Sequence, residues 1–353
     1  MSVMKLPGSA LLALCLWLGA CANLAVNGGE TLADTDCASQ EAIPWQPVAP
    51  SVWVWLPAAE VEVAQGNAGH VAPTAVVVDG GQALVVDPGP SHRHGLRVRE
   101  SLRCQFGARV TWVVNTHAHA ENVLANSAFA DLQSTGQLRI GASQATRDGM
   151  TRRCPDCLAS LTRRVGELAM ENTRIVLPDA TLETGMVLRV GQRELTVWAV
   201  EQGHTEGDLV LWDALHGVLF AGGLVYGHRI PELAQGQVDA WLAALDRLAL
   251  LPVRELIGAT WSRGGGGRPP PAIGSTRGYL GALRSGVLRA MDQGAMAQDT
   301  SAVPLPGYSD WAGYVERHGF NVLRAWRELE PVWMEQDAAS PARSPGSVQQ
   351  PRR

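Results

Sequence analysis

The stretch R-V-T-W-V-V-N-T-H-A-H-A-E-N at 109–122 constrains the fold most, because it ends an apolar strand-like run on two histidines spaced two apart. Val110, Trp112, Val113 and Val114 read as a strand that delivers His117 and His119 to its C-terminal mouth, where an open α/β arrangement collects metal ligands. A second stretch repeats the design. Leu195, Val197, Ala199 and Val200 lead into E-Q-G-H-T-E-G-D at 201–208, which sets His204 in a glycine-flanked turn. Three histidines at two strand ends suffice for a zinc site. An H-x-H alone is weak evidence, since paired histidines on a strand are more often surface or hydrogen-bonded residues. Joined to G-H-T-E-G-D and to the D-P-G turn at 87–89, it is much stronger.

The order and spacing of these motifs, from about residue 52 to 262, resemble the metallo-β-lactamase superfamily. That family's pattern is H-x-H-x-D-H, then G-H-T-x-G-D, then a bridging Asp near F-A-G-D, then a late G-H. Within it, region 104–336 resembles the quinoprotein relay system zinc metallohydrolases of the type 2 branch. The supporting segments are C-P-D-C-L at 154–158, E-N-T-R-I-V-L-P-D at 171–179, L-F-A-G-G-L-V at 219–225 and the closing W-A-G-Y-V-E-R-H-G-F-N-V-L-R-A-W-R-E-L-E at 311–330.

The resemblance implies an α+β fold, a four-layer αββα sandwich with its metal at one edge of the sheets, and one zinc on His117, His119 and His204. The family's second-zinc positions correspond to Glu121, Asn122, Gly223 and Ala259. One carboxylate is left there; Asn122 is a poor substitute for imidazole, and Gly223 and Ala259 carry no side-chain donor. One zinc is therefore expected rather than two. Loss of the bridging Asp also argues against the iron-dependent sulfur dioxygenases of the superfamily. Asp87 reads either as a carboxylate that orients a ligand histidine or as a turn cap, and Thr205 and Asp208 carry the same pair of readings. His92 and His94 follow the D-P-G turn and are placed near the cleft mouth; His70, His216, His228 and His318 read as ordinary histidines.

Residues 1–21 read as a lipoprotein-type signal peptide. Lys5 precedes the apolar run Ala10 to Leu18, which is shorter than the roughly 20 residues a membrane-spanning helix needs. The run ends L-G-A-C, so Cys21 is a lipidation site that anchors the mature chain to a bacterial membrane on the periplasmic side. A-C-A at 20–22 offers the competing reading, cleavage that releases a soluble protein. Lys5 is the only lysine, the formal net charge is −5 and no basic patch stands out, which argues against nucleic-acid binding. With Cys15 and Cys21 set aside, Cys37, Cys104, Cys154 and Cys157 make an even number in an oxidising compartment. Connectivity is open, though C-P-D-C reads as a local disulfide.

Composition divides the rest of the chain. Residues 22–50 read as a flexible tether, 51–265 as the metallo-β-lactamase-like domain, 266–336 as a Gly/Pro hinge with a helical extension, and 337–353 as a disordered tail. Within the domain a hairpin is expected at Asp79-Gly80-Gly81, a helix over Glu121–Leu132 and a packing helix over Val238–Leu251. Trp311, Tyr314, Phe320 and Trp326 of the extension are expected to pack on the sandwich, with a lid or partner surface as the alternative.

Two functions follow. The first is a single-zinc hydrolase in which Glu121 is the catalytic general base acting on an unidentified small molecule. The second is a catalytically inactive accessory lipoprotein that binds a periplasmic quinoprotein or its cofactor. No further cofactor is expected.

Overall fold

The central strands of the sandwich are apolar on both faces, and this places them between a partner sheet and a layer of helices. In the strand β10 (Glu206–Asp213), Leu209 and Leu211 point into one apolar cluster while Val210 and Trp212 point into another. The strand β3 (Thr74–Asp79) does the same with Ala75 and Val77 against Val76 and Val78. The computed structural model describes residues 37, 42–58 and 62–339. The signal peptide, Cys21 and the stretch from 340 onward lie outside the described residues.

The first sheet has seven strands in the order β1-β2-β3-β4-β5-β6-β7. These are β1 (Gln46–Ala49), β2 (Val52–Trp55), β3, β4 (Gln82–Val86), β5 (Arg109–Val114), β6 (Arg139–Ala142) and β7 (Ala180–Thr181). β1 to β4 run antiparallel, and β4 to β7 are parallel. The second sheet, β13-β12-β11-β10-β9-β8, contains β8 (Val187–Val190), β9 (Arg193–Gln202), β10, β11 (Val218–Phe220), β12 (Glu255–Ile257) and β13 (Trp261–Arg263).

Val54, Val77, Leu84 and Val114 of the first sheet meet Val190, Leu195, Leu209 and Phe220 of the second in the central core. Outside the first sheet, helix α1 (His92–Phe106) buries Val98 and Leu102 against Val85, Val113 and Ile140. Ser91 caps its start by accepting from the His94 amide, and Gly107 ends it in the left-handed conformation. Outside the second sheet lie α5 (Val238–Leu248), α6 (Pro271–Asp292) and α7 (Tyr314–Ala339). Their Trp241, Leu245, Tyr279, Leu283, Val322 and Trp326 share one core with Leu219 and Leu256. The expected αββα sandwich is what forms.

Several finer expectations need correction. β1 lies inside the stretch read as a tether and pairs with β2, and Ile43 is buried, so the folded body starts earlier than composition suggested. The single helix expected over Glu121–Leu132 is α2 (Ala120–Val123), a 3-10 segment Leu124–Phe129 and α3 (Ala130–Ser134). The 3-10 turn is wholly buried and packs onto α1: a Cβ at Gly95 would fall 2.7 Å from the Ala125 carbonyl oxygen. That close approach joins separate parts of the chain and is invisible in the local pattern.

The C-P-D-C segment lies within α4 (Gln144–Val165), and Cys154 and Cys157 are free thiols rather than a disulfide. They share a helical turn and hydrogen-bond to one another, which pushes Cys154 up and brings Cys157 down to about 7. Cys37 and Cys104 are each disulfide-bonded. In the helical extension, α6 and α7 complete the outer layer, and α7 continues to Ala339, past the expected end at 336. Trp326 is buried as expected, Trp311 and Tyr314 are partly buried, and Phe320 is exposed.

Candidate metal centre

The two histidine-bearing turns meet because the sheets touch at one edge. β5 ends at Val114, and the Thr116 carbonyl that follows accepts from the Leu209 amide at the start of β10, 2.7 Å away. This hydrogen bond ties the H-A-H loop to the turn between β9 and β10. His117, His119 and His204 come together with ring centroids 4.6–4.9 Å apart, and one ligand nitrogen of each lies within 4.8 Å of the others.

Each imidazole is oriented through its other nitrogen. His204 Nδ1 lies 2.9 Å from the Glu232 carbonyl, which can only accept, so Nδ1 carries the proton and Nε2 keeps its lone pair. His119 Nε2 lies 2.6 Å from Gln235 Oε1 and donates to it, leaving Nδ1 free. Thr116 Oγ1 gives its proton to Asp87 Oδ2 at 2.6 Å and accepts from His117 Nδ1 at 2.8 Å, which frees His117 Nε2. Gln235, Glu232 and Thr116 were not picked out from the sequence. They lie outside the histidine motifs or beside them with no periodicity to flag them, and only the folded loops bring them into reach.

His119 Nδ1 and His204 Nε2 face each other at 3.2 Å. Two lone pairs at that distance repel unless they share a proton or a cation. Zinc–nitrogen bonds of about 2.0–2.1 Å in a tetrahedral shell set neighbouring nitrogens about 3.3 Å apart. The donor set and its spacing therefore fit one zinc ion. Burial, with the neighbouring histidines adding to it, holds His117 and His204 well below the usual histidine range, so both are the neutral ligands a metal requires. Burial acts the same way on His119, but the carboxylates of Glu121 and Glu232 and the Gln235 acceptor outweigh it and raise His119.

The remaining predicted residues divide by position. Glu121 Oε1 sits 3.6 Å from His119 Nδ1 and lines the same pocket. Asp87, in the left-handed conformation and buried, accepts from the Thr116 amide and hydroxyl and so reaches His117 through Thr116. Burial raises it to about 7. Asp208, raised to about 7 by the same cause, accepts from Thr205 Oγ1 at 2.7 Å and shapes the turn that presents His204. Asn122 is buried and hydrogen-bonds Asp87.

Gly223 lies where His204 occupies the space. A Cβ there would overlap the His204 ring, 2.6 Å from Nε2, and a Cβ at neighbouring Gly222 would collide with Thr116 Oγ1. Ala259 lines the pocket with a methyl group. His92 and His94 stay away from the centre. His94 is buried against Thr74, Trp55 and His70, and the His92 amide donates to Thr173. Tyr226 and Arg229, neither singled out beforehand, line the metal pocket.

The family model described as the metallo-beta-lactamase superfamily matches residues 68–260. An acyl-coenzyme A thioesterase MBLAC2 from Gallus gallus is 36% identical over 83 residues, 23% of this chain; the chain spans about 30% of that relative's length. Among solved structures, a metallo-beta-lactamase from Pontibacter korlensis aligns with a TM-score of 0.52 at 18% identity, over 67% of this chain and 98% of the other. A metallo beta lactamase from Hirschia baltica aligns with 0.50 at 15% identity, over 68% and 98%. Likeness at these identities concerns the fold.

Proposed function

Since this chain belongs to the metallo-beta-lactamase superfamily, whose model spans more than half of it, we propose that it is a hydrolase working with one zinc ion on His117, His119 and His204. The observation that carries this reading is the set of three lone pairs turned to one point, each fixed by an acceptor on the imidazole's far nitrogen. Zinc bound there supplies a Lewis acid that activates water near neutral pH and polarises a carbonyl.

The chain's own groups do the rest. Glu121 accepts the proton of the attacking water at Oε1 and returns it to the leaving group. Asp87, acting through Thr116, keeps the His117 proton on Nδ1, and Gln235 keeps the His119 proton on Nε2. The packing of Gly223 against His204, together with Asn122 and Ala259, supports one metal rather than two. An acyl ester or thioester is the proposed bond class, supported by the thioesterase relative.

The test combines metal analysis with turnover. Protein from Cys37 onward is expected to hold about one zinc per chain and to lose both metal and acyl-ester hydrolysis in His204→Ala; Glu121→Gln keeps the metal while kcat drops about 10²–10⁴-fold. Hydrolysis that survives His117→Ala sinks the proposal.

A second reading, an accessory protein without catalysis, is favoured by the same Gly223 contact, which removes a family ligand and fills its place with a ring. In that case a periplasmic quinoprotein is the proposed partner, on the segments resembling the quinoprotein relay branch. Export and a lipid anchor at Cys21 are proposed for either reading, supported by the oxidised state of Cys37 and Cys104.

A further inference from the structure

An apolar cavity of about 290 Å³ opens beside the metal pocket, walled by Leu56, Val71, Pro73, Trp261 and Ala312. Val71, Arg229 and Ala259 line both the cavity and the metal pocket, so these three residues form the passage between them. Ala259 occupies the position of the family's late histidine. Its side chain there is only a methyl group, and it lines both spaces. Arg229 is the one cation among the residues lining the metal pocket. Its Nη1 donates to the Val71 carbonyl at 2.7 Å, and its guanidinium lies 5.9 Å from the Tyr226 ring centroid. The guanidinium is thereby held at the boundary between an apolar space and a polar centre. On the other side of the metal pocket, sharing Val71, Glu121 and Glu232 with it, a cavity of about 330 Å³ is lined by Glu62, Arg164, Glu316 and Arg317. That cavity also carries Val63 and Phe320, but its charged side chains make it the less suited of the two to an apolar group.

We propose that the apolar cavity is the acyl-tail subsite and that Arg229 is the specificity-determining residue that receives the carboxyl end of the group lodged there. The substrate is then an acyl compound with an apolar tail of several carbons. Its tail lies between Trp261 and Val71, and its carbonyl reaches past Ala259 to the three histidines. In the reaction the oxygen of water bonds to the acyl carbon and the bond from that carbon to the ester oxygen or thioester sulfur breaks. One proton of water leaves with the alcohol or thiol, the other passes to solvent, and the acyl group leaves as its carboxylate. A planar guanidinium matches a carboxylate bidentately, which suits Arg229 to hold that product. This inference rests on the hydrolase reading for its bond class, whereas the tail subsite stands on the cavity alone.

The experiment is a calorimetric titration of the full-length purified chain with butanoate, hexanoate and octanoate, zinc content being measured on each sample. Each added methylene is expected to tighten binding by about fourfold. Arg229→Gln should weaken all three by about tenfold or more while keeping that increment, because the charge pairing goes and the tail still packs. Ala259→Trp, which plugs the passage, should flatten the series, with a thermal melt to check the fold. Affinities independent of chain length in the parent protein overturn the tail subsite, as does an Arg229→Gln series identical to the parent for the role of Arg229. A full chain-length series in protein that holds no zinc defeats the hydrolase reading and leaves this one standing. Zinc-dependent turnover with a flat series does the reverse.

Discussion

At Gly223 the space that a side chain would need is taken by His204. The backbone there passes so close to His204 that alanine already overlaps the ring. Gly223→Asp is therefore expected to disturb the first site rather than rebuild the second, with stability lower by about 1–3 kcal/mol and zinc content reduced, read by denaturant melts and metal analysis. Gln235 acts in the opposite sense. It accepts from His119 Nε2 at 2.6 Å, and Gln235→Leu should weaken zinc about 10–100-fold without removing a ligand. Competition with a chelator measures it. The motifs pointed to the position of Gly223 but not to its contact with His204, and they did not point to Gln235 at all, a loop glutamine with no pattern around it; the three histidines were legible because strand ends and metal-ligand spacing follow chain order.

Among the elements, α1 carries a buried histidine with a pH consequence. His94 packs against Trp55 and His70 and lies 3.3 Å from Thr74 Oγ1. Burial, then the neighbouring His70 and Arg97, holds it well below its ordinary 6.5. Unfolding returns it to the ordinary value, so in the window below 6.5 the unfolded chain binds more protons than the folded one. Stability present above pH 6.5 is thus lost as pH falls through that window toward the depressed value. The midpoint of thermal unfolding should drop between pH 7 and pH 5, and His94→Gln should lessen the slope. The hairpin at Gly80-Gly81 was readable in advance, since a turn needing positive φ leaves a local mark. The break of 120–134 into three short helical pieces was not; it lies where Gly95 of α1 packs closely against Ala125 and Ala128, a contact between separate parts of the chain. The free thiols of α4 were hidden for a similar reason, since spacing alone does not distinguish a helical turn from a disulfide loop.

Over the whole molecule, the outer helices hold the metal centre together from a distance. Asn321 of α7, fully buried, donates to the Pro231 carbonyl at 2.8 Å and accepts from the Leu233 amide at 3.2 Å. Between them, the Glu232 carbonyl orients His204. Asn321→Leu is expected to cost about 1–3 kcal/mol by leaving buried backbone groups unpaired. It should also weaken zinc, although it touches no ligand; a melt and a zinc titration read the two effects separately. The chain by itself determined the strand-end histidines, because strand patterning and short motifs are local properties of a sequence, and its resemblance to the superfamily implied the layer order. Which nitrogen of each imidazole faces the centre, that Gly223 leaves its space to His204, and that the half-buried Arg229 lines both an apolar cavity and the site were decided by tertiary structure alone. Those features depend on groups as far apart as Thr116, Glu232 and Asn321, and only packing brings such residues within hydrogen-bonding distance of one another or of the ligands.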